Sequence, residues 1–288
     1  MSEALTIYDL NPGQLVAERY RIVGPHHMGG MYSAFEVEDV REGGSRELQF
    51  FPPALFESDE QADEFAASWQ AWKRVANPAV LRVHDVLHLG PTTLAVISDL
   101  PPGTSLRQRM SDGHRPGPRD ALRIGCQLLE GLTAIHEQGL VHGDIKPNTV
   151  HVDGDGERLR ACLIDGGITS GLWSAKDLGE QTALIGTPYY APPEQFSGDP
   201  PTIQSDVYNV ATLLFELLTG VLPWSGANIL EVFQAKLDRE PPSIARRAPE
   251  VEVDPRLEQV IVGGLMAERP KRYASAREFL DGLRAIEA

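Results

Sequence analysis

The stretch from Leu140 to Val150, Leu-Val-His-Gly-Asp-Ile-Lys-Pro-Asn-Thr-Val, constrains this chain more than any other. It sets His142, Asp144, Lys146, Asn148 and Thr149 between two apolar flanks. The flanks draw the turn into a core. Each polar group that loses water there needs a partner. A buried turn that carries so many of them has a use for them.

The rest of the chain reads as a small sheet followed by a helical region. Arg19 to Val23, Ser33 to Val37, Glu47 to Phe51, Val80 to Leu89 and Thr92 to Leu100 are predicted strands. Ser58 with Gln61 forms a capping box for a helix running to about Val75. Residues 1–16 carry no strong pattern and read as an N-terminal arm. Pro101-Pro102-Gly103 marks a linker. Beyond it, Asp120 to Glu137 is amphipathic, with Leu122, Cys126, Leu129, Leu132 and Ile135 at helical spacing and Gly139 as its stop. Val150 to Val152 with Ala161 to Ile164 reads as a hairpin. Asp206 to Thr219 reads as a buried helix. Ile229 to Leu237, Arg256 to Met266 and Ser275 to Ile286 supply further helices.

The polar loop matches the order H-R-D-L-x-x-x-N of the protein kinase catalytic loop, with Gly143 in place of arginine and Thr149 in place of asparagine. Asp165-Gly166-Gly167 stands where that family has D-F-G. Gly186-Thr187-Pro188-Tyr189-Tyr190-Ala191-Pro192-Pro193-Glu194 resembles the end of an activation segment, Ser205-Asp206-Val207-Tyr208 the start of the central helix, and Arg272 the arginine that pairs with Glu194. Over roughly residues 17–288 the chain resembles the eukaryotic-like serine/threonine protein kinases of bacteria. The resemblance implies an α+β, bilobal protein-kinase-like fold. It has a five-stranded antiparallel N-lobe with one main helix over 17–100 and a mainly helical C-lobe over 101–288.

What the resemblance implies about chemistry is uneven. Asp144 matches the catalytic base, Lys146 the lysine that steadies the transferring phosphate, and Asp165 the main magnesium ligand. The alternative for both aspartates is a structural role, hydrogen-bonding the loops of a packed lobe. Thr149 offers a hydroxyl where an amide carbonyl would hold a second metal. Gln49 falls in the position of the strand lysine, with Glu47 two residues before it and Ser68 in the position of the helix glutamate. Of the phosphate-binding glycines one survives, as Gly29 beside Gly30; Tyr32 lies either beneath that loop or in solvent. Ala34, Ser98, Asp99 and Leu100 complete the nucleotide-binding positions. Pro101 after them has no N–H to offer an adenine edge.

The reading is a pseudokinase: phosphotransfer lost or very weak, ATP with magnesium or manganese bound weakly or not at all, and a regulatory binding role. One alternative is an atypical active serine/threonine kinase in which Arg19, Arg21, Arg46 or Lys73 replaces the lysine. Another is an interaction domain without nucleotide. A net charge of −15 disfavours nucleic acid and anionic membranes and suits a protein partner with a basic face. Cys126 and Cys162 in apolar surroundings read as reduced. With no signal peptide and no apolar run long enough for a bilayer, a cytoplasmic location is expected.

Overall fold

A computed structural model describes residues 5–27, 31–175, 188–237 and 240–287. Gly29, Gly30, Gly186 and Thr187, singled out from the sequence, lie outside the described residues. The chain divides into two units: residues 1–76 and 81–101 with 171–177, and the remainder.

The first unit is an antiparallel sheet with one helix. Its strands are β1 (Leu15–Val16), β2 (Tyr20–His27), β3 (Ser33–Asp39), β4 (Ser45–Phe51), β5 (Val83–His88) and β6 (Leu94–Ser98), in the order β1-β2-β3-β4-β6-β5. The helix α1 covers Asp59–Trp72, with Ser58 capping Gln61 N–H as the sequence predicts. Side chains alternate across β4. Leu48 and Phe50 enter a core with Leu10, Val16, Tyr20, Ile22, Phe35, Val37 and Ile97. On the other face Phe51 meets Phe65 of α1 with ring centroids 5.1 Å apart, and α1 continues through Trp69 to Trp72. That alternation puts Glu47 and Gln49 on the α1 side of the sheet.

Two expectations are corrected here. The sheet has six strands, because β1 joins it: Leu15 pairs with Arg21 and Val16 with Tyr20. The turn between them is closed by Arg19 N–H on Val16 O at 3.1 Å, with Ala17 and Glu18 both at positive φ. Glycine or asparagine ordinarily signals such a turn, and Ala-Glu does not. A two-residue strand also shows no alternation. Nor are residues 5–16 an arm apart from the sheet. Leu10 and Val16 are core residues, Leu5 and Ile7 pack against them, and Leu5 N–H bonds Leu89 O at 3.2 Å.

The second unit is mainly helical. In chain order it contains β7 (Thr104–Ser105), α2 (Leu106–Ser111), α3 (Pro118–Glu137), β8 (Val150–Asp153) and β9 (Arg160–Leu163). Then follow α4 (Ile168–Ala175, shared with the first unit from Gly171), α5 (Pro193–Phe196), α6 (Ile203–Thr219), α7 (Ile229–Lys236), α8 (Ile244–Arg247), α9 (Pro255–Gly264) and α10 (Ala276–Glu287). The helix α6 is buried from Ser205 to Thr219, capped by Thr202 and ended by Gly220 at φ +79°. Around it pack α3, α9 and α10. No helix among the described residues is long and apolar enough to cross a membrane.

Candidate functional site

In the second unit the loop 140–150 is held from beneath by α6. Asp206 is fully buried and accepts three hydrogen bonds: His142 N–H at 2.9 Å, Gly143 N–H at 2.8 Å and His136 Nε2 at 2.9 Å. One turn on, Asn209 Oδ1 accepts Ile145 N–H at 3.5 Å, and Asn209 Nδ2 donates to Tyr190 O at 2.8 Å. One buried helix thus fixes both the loop and the segment beginning at Pro188. Gly143 sits at φ +87°, a conformation that favours glycine.

Burial pushes the His142 imidazole below its ordinary range, although Asp206, Asp144 and Asp165 pull the other way. A neutral ring suits its neighbours. Nε2–H donates to Ile164 O at 3.0 Å, and Nδ1 accepts the Asp144 N–H at 3.4 Å. The Lys146 ammonium donates to Asp144 Oδ2 at 2.5 Å. Asp165 stands at φ +59°, a strained backbone for a non-glycine residue. Thr149 is turned into the loop: its hydroxyl donates to Asp144 O at 2.7 Å and accepts Lys146 N–H at 3.1 Å. The Thr149 hydroxyl therefore braces the loop, a use that the metal-ligand expectation did not foresee. Among the described residues no group of three or more His, Cys, Asp or Glu side chains is placed to hold a metal.

The segment after the loop is anchored as the sequence suggests. Arg272 makes a two-pronged pair with Glu194, at 2.7 and 3.1 Å. Lys236 is an addition that the sequence reading missed. It is fully buried on α7, and its ammonium donates to Pro188 O, Tyr189 O and Ala191 O at 3.0, 2.9 and 2.6 Å. Phe196, Tyr208 and Trp224 surround it, with centroids 5.5 to 5.8 Å away. A lysine near the end of a short amphipathic helix reads as a solvent residue, so no local signal marks it.

In the first unit the positions matched to a nucleotide site are occupied by neutral or acidic groups. Gln49 and Glu47 are both buried on β4. Gln49 Nε2 donates to Glu47 Oε1 at 3.2 Å, and His26 Nδ1 lies 2.6 Å from Glu47 Oε2. Ala34 on β3 is buried and opposite Gln49 in register; Ser98 on β6 is opposite Glu47. The Ser98 hydroxyl donates to Asp99 O at 3.0 Å, and Asp99 Oδ1 lies 2.7 Å from His84 Nε2. Leu100 is half-buried. Tyr32 packs its ring on Phe51 at 5.6 Å and is not turned out to solvent. On α1, Ser68 donates back to Phe65 O at 2.7 Å.

Each cation proposed as a substitute for the strand lysine has a carboxylate of its own. Arg19 pairs with Asp39 and Glu42 at 2.6 and 2.7 Å, Arg21 with Glu38 at 2.7 Å, Arg46 with Asp99 at 3.9 Å, and Lys73 with Asp85 at 3.6 Å. A triphosphate asks for positive charge and close N–H donors. The Glu47 carboxylate and the Gln49 amide bring no positive charge to this part of the sheet.

Comparison with known proteins gives one answer at the level of the fold. The profile for the protein kinase domain matches residues 54–283. Serine/threonine-protein kinase pkn2 of Myxococcus xanthus is 30% identical over 282 residues, covering 97% of this chain and 34% of its own. Probable serine/threonine-protein kinase PknB of Lactococcus lactis is 28% identical over 269 residues, covering 93% of this chain and 42% of its own. The chain spans about a third to two-fifths of the length of these two relatives. The crystal structure of the Mycobacterium tuberculosis PknI kinase domain aligns with a TM-score of 0.72 at 23% identity, covering 96% of this chain and 99% of that one.

Proposed function

We propose, from the premise that this chain belongs to the protein kinase domain family, that it is a member with lost or very weak phosphotransfer, acting as a regulatory binding module. The observation that carries the reading is the charge inventory of the first unit. Gln49 stands in the lysine position and bonds Glu47, Ser68 bonds its own helix, and Arg19, Arg21, Arg46 and Lys73 are each paired elsewhere. Phosphoryl transfer depends on positioning and charge neutralisation. Removing one preorganised stabilising group commonly costs about 100- to 1,000-fold in rate. Losses at Gln49, Ser68 and Thr149 overlap and do not add. Weak ATP binding with a divalent cation at Asp165, a protein partner with a basic face and a cytoplasmic setting belong to the same proposal.

A second reading, an active serine/threonine kinase, is favoured by the intact Asp144–Lys146 pair at 2.5 Å. The activity in the names of the two relatives backs it more directly. One experiment separates the two. The chain is incubated with labelled ATP, magnesium or manganese and a basic protein acceptor, beside an Asp144→Asn control. The pseudokinase reading expects equal label in both. Robust transfer that the control abolishes would establish the second reading.

A further inference from the structure

The helix α7 inverts the usual distribution of side chains. It exposes Ile229 and Leu230 and buries Lys236 completely. Val232 and Lys236, four apart, share its buried face. A lysine in a last helical turn ordinarily meets the carbonyls of its own helix or water. Here the ammonium has left water, which is costly unless its donors find acceptors elsewhere. The surroundings of Lys236 must therefore replace its hydration.

That replacement is complete. An ammonium has three N–H donors, and Pro188 O, Tyr189 O and Ala191 O stand 3.0, 2.9 and 2.6 Å from Nζ. The carbonyl among them that Lys236 does not bind, Tyr190 O, accepts from Asn209. Four consecutive carbonyls are thus held by side chains of α6 and α7. The walls of the cage are Phe196, Tyr208 and Trp224, all within the roughly 6 Å at which a ring face attracts a cation. These walls are braced. Tyr208 and Trp224 stack on each other at 5.6 Å, and Phe233 stacks on Phe196 at 4.7 Å. Glu194, the acid whose charge reaches Lys236, is itself paired with Arg272 at 2.7 Å. Dipoles and rings, in place of a paired carboxylate, hold the ammonium.

We infer that this cage is a binding site for a primary alkylammonium group, and that its resident occupant, Lys236, sets the course of Pro188–Ala191. Three acceptors converging on one point select a group with three N–H donors over a quaternary cation. Three ring faces select a cation over a neutral alcohol of the same length. The site is filled from within, so an outside amine enters only when the lysine stem is removed. The inference goes beyond the phosphotransfer reading and does not rest on it.

Two measurements on the full chain test this. First, Lys236→Ala removes the fragment that n-propylammonium restores. At about pH 6 both the amine and a resident lysine are charged. Against sodium chloride of equal concentration, n-propylammonium chloride in excess should raise the melting temperature of Lys236→Ala by about 2 °C or more and leave wild type unmoved. Neither n-propanol nor tetramethylammonium should do so. No rise with the amine, or an equal rise with either control, would overturn the site. Should Lys236→Ala not fold alone, it is refolded from urea with and without the amine, and only recovery that depends on the amine supports the site. Second, Lys236→Met keeps the stem and lacks the donors. Chymotryptic cleavage after Tyr190, a residue that is buried in the wild-type chain, should be at least tenfold faster in this variant, with cleavage elsewhere unchanged. Wild-type resistance at that bond in folded Lys236→Met would overturn the role of Lys236 in setting the segment. Both measurements are independent of phosphate transfer, so the site and the pseudokinase reading fail separately.

Discussion

Lys236 shows how a single residue sets the chemistry of its surroundings. Burial pushes its ammonium down to about 7, while the charge of Glu194 pulls it up; the Tyr208 phenol beside it stays protonated, raised by its own burial. In the unfolded chain the lysine returns to its ordinary value of 10.5. Between those two values the unfolded state binds the extra proton. Stability therefore rises with pH across this window, and the burden of the buried charge is complete below it. Lys236→Met keeps the stem and removes the titration. The stability of wild type relative to this variant should grow by on the order of 2 kcal/mol from about pH 7 to about pH 9.5, measured by urea unfolding at both pH values. A difference that stays constant would mean that the three carbonyls and three rings hold the ammonium charged throughout.

At the scale of elements, legibility followed the strength of local pattern. Long segments with a clear period, α1, α3 and α6, were predicted within a few residues. Among the short ones, β8, β9 and α7 were also found where expected, but β1 and α4 were not. The strand β1 has two residues and a turn without glycine, and α4 violates helix propensity at Gly171 because tertiary contact overrides it. The site divides in the same way. The Glu194–Arg272 pair was legible because its motifs fix residue type and order. Lys236 was not, because its role depends on backbone carbonyls some 45 residues away in sequence. The brace from α6 to the loop yields a further prediction. Asp206→Ala would leave the His142 and Gly143 N–H groups buried without their acceptor. Removing it should cost about 3 kcal/mol or more, read as a lower urea midpoint. A midpoint within error of wild type would show that the loop does not depend on α6.

For the whole molecule the governing quantity is charge. The chain carries −15, and within the first unit the face that would meet phosphates presents Glu47 beside Gln49. ATP without metal is itself strongly anionic, so long-range repulsion and the local carboxylate act in the same direction. In the proposed reading a divalent cation would offset part of this by lowering the charge of the nucleotide and taking Asp165 as its ligand. A ligand stabilises the fold by RT ln(1 + [L]/Kd), and in a chain of this size about 1 kcal/mol moves the melting temperature by roughly 2–4 °C. At about 1 mM ATP, a shift below about 1 °C thus corresponds to a dissociation constant near or above the millimolar range. We expect that result for ATP alone, and a larger though still small shift when magnesium or manganese is added. The Asp165→Asn variant should abolish the metal-dependent part and leave the metal-free result unchanged. A metal-free rise of several degrees would mean that the first unit supplies a cation to the phosphates after all. Arg46 would be the first to examine, since its 3.9 Å contact with Asp99 is the longest of the four pairs.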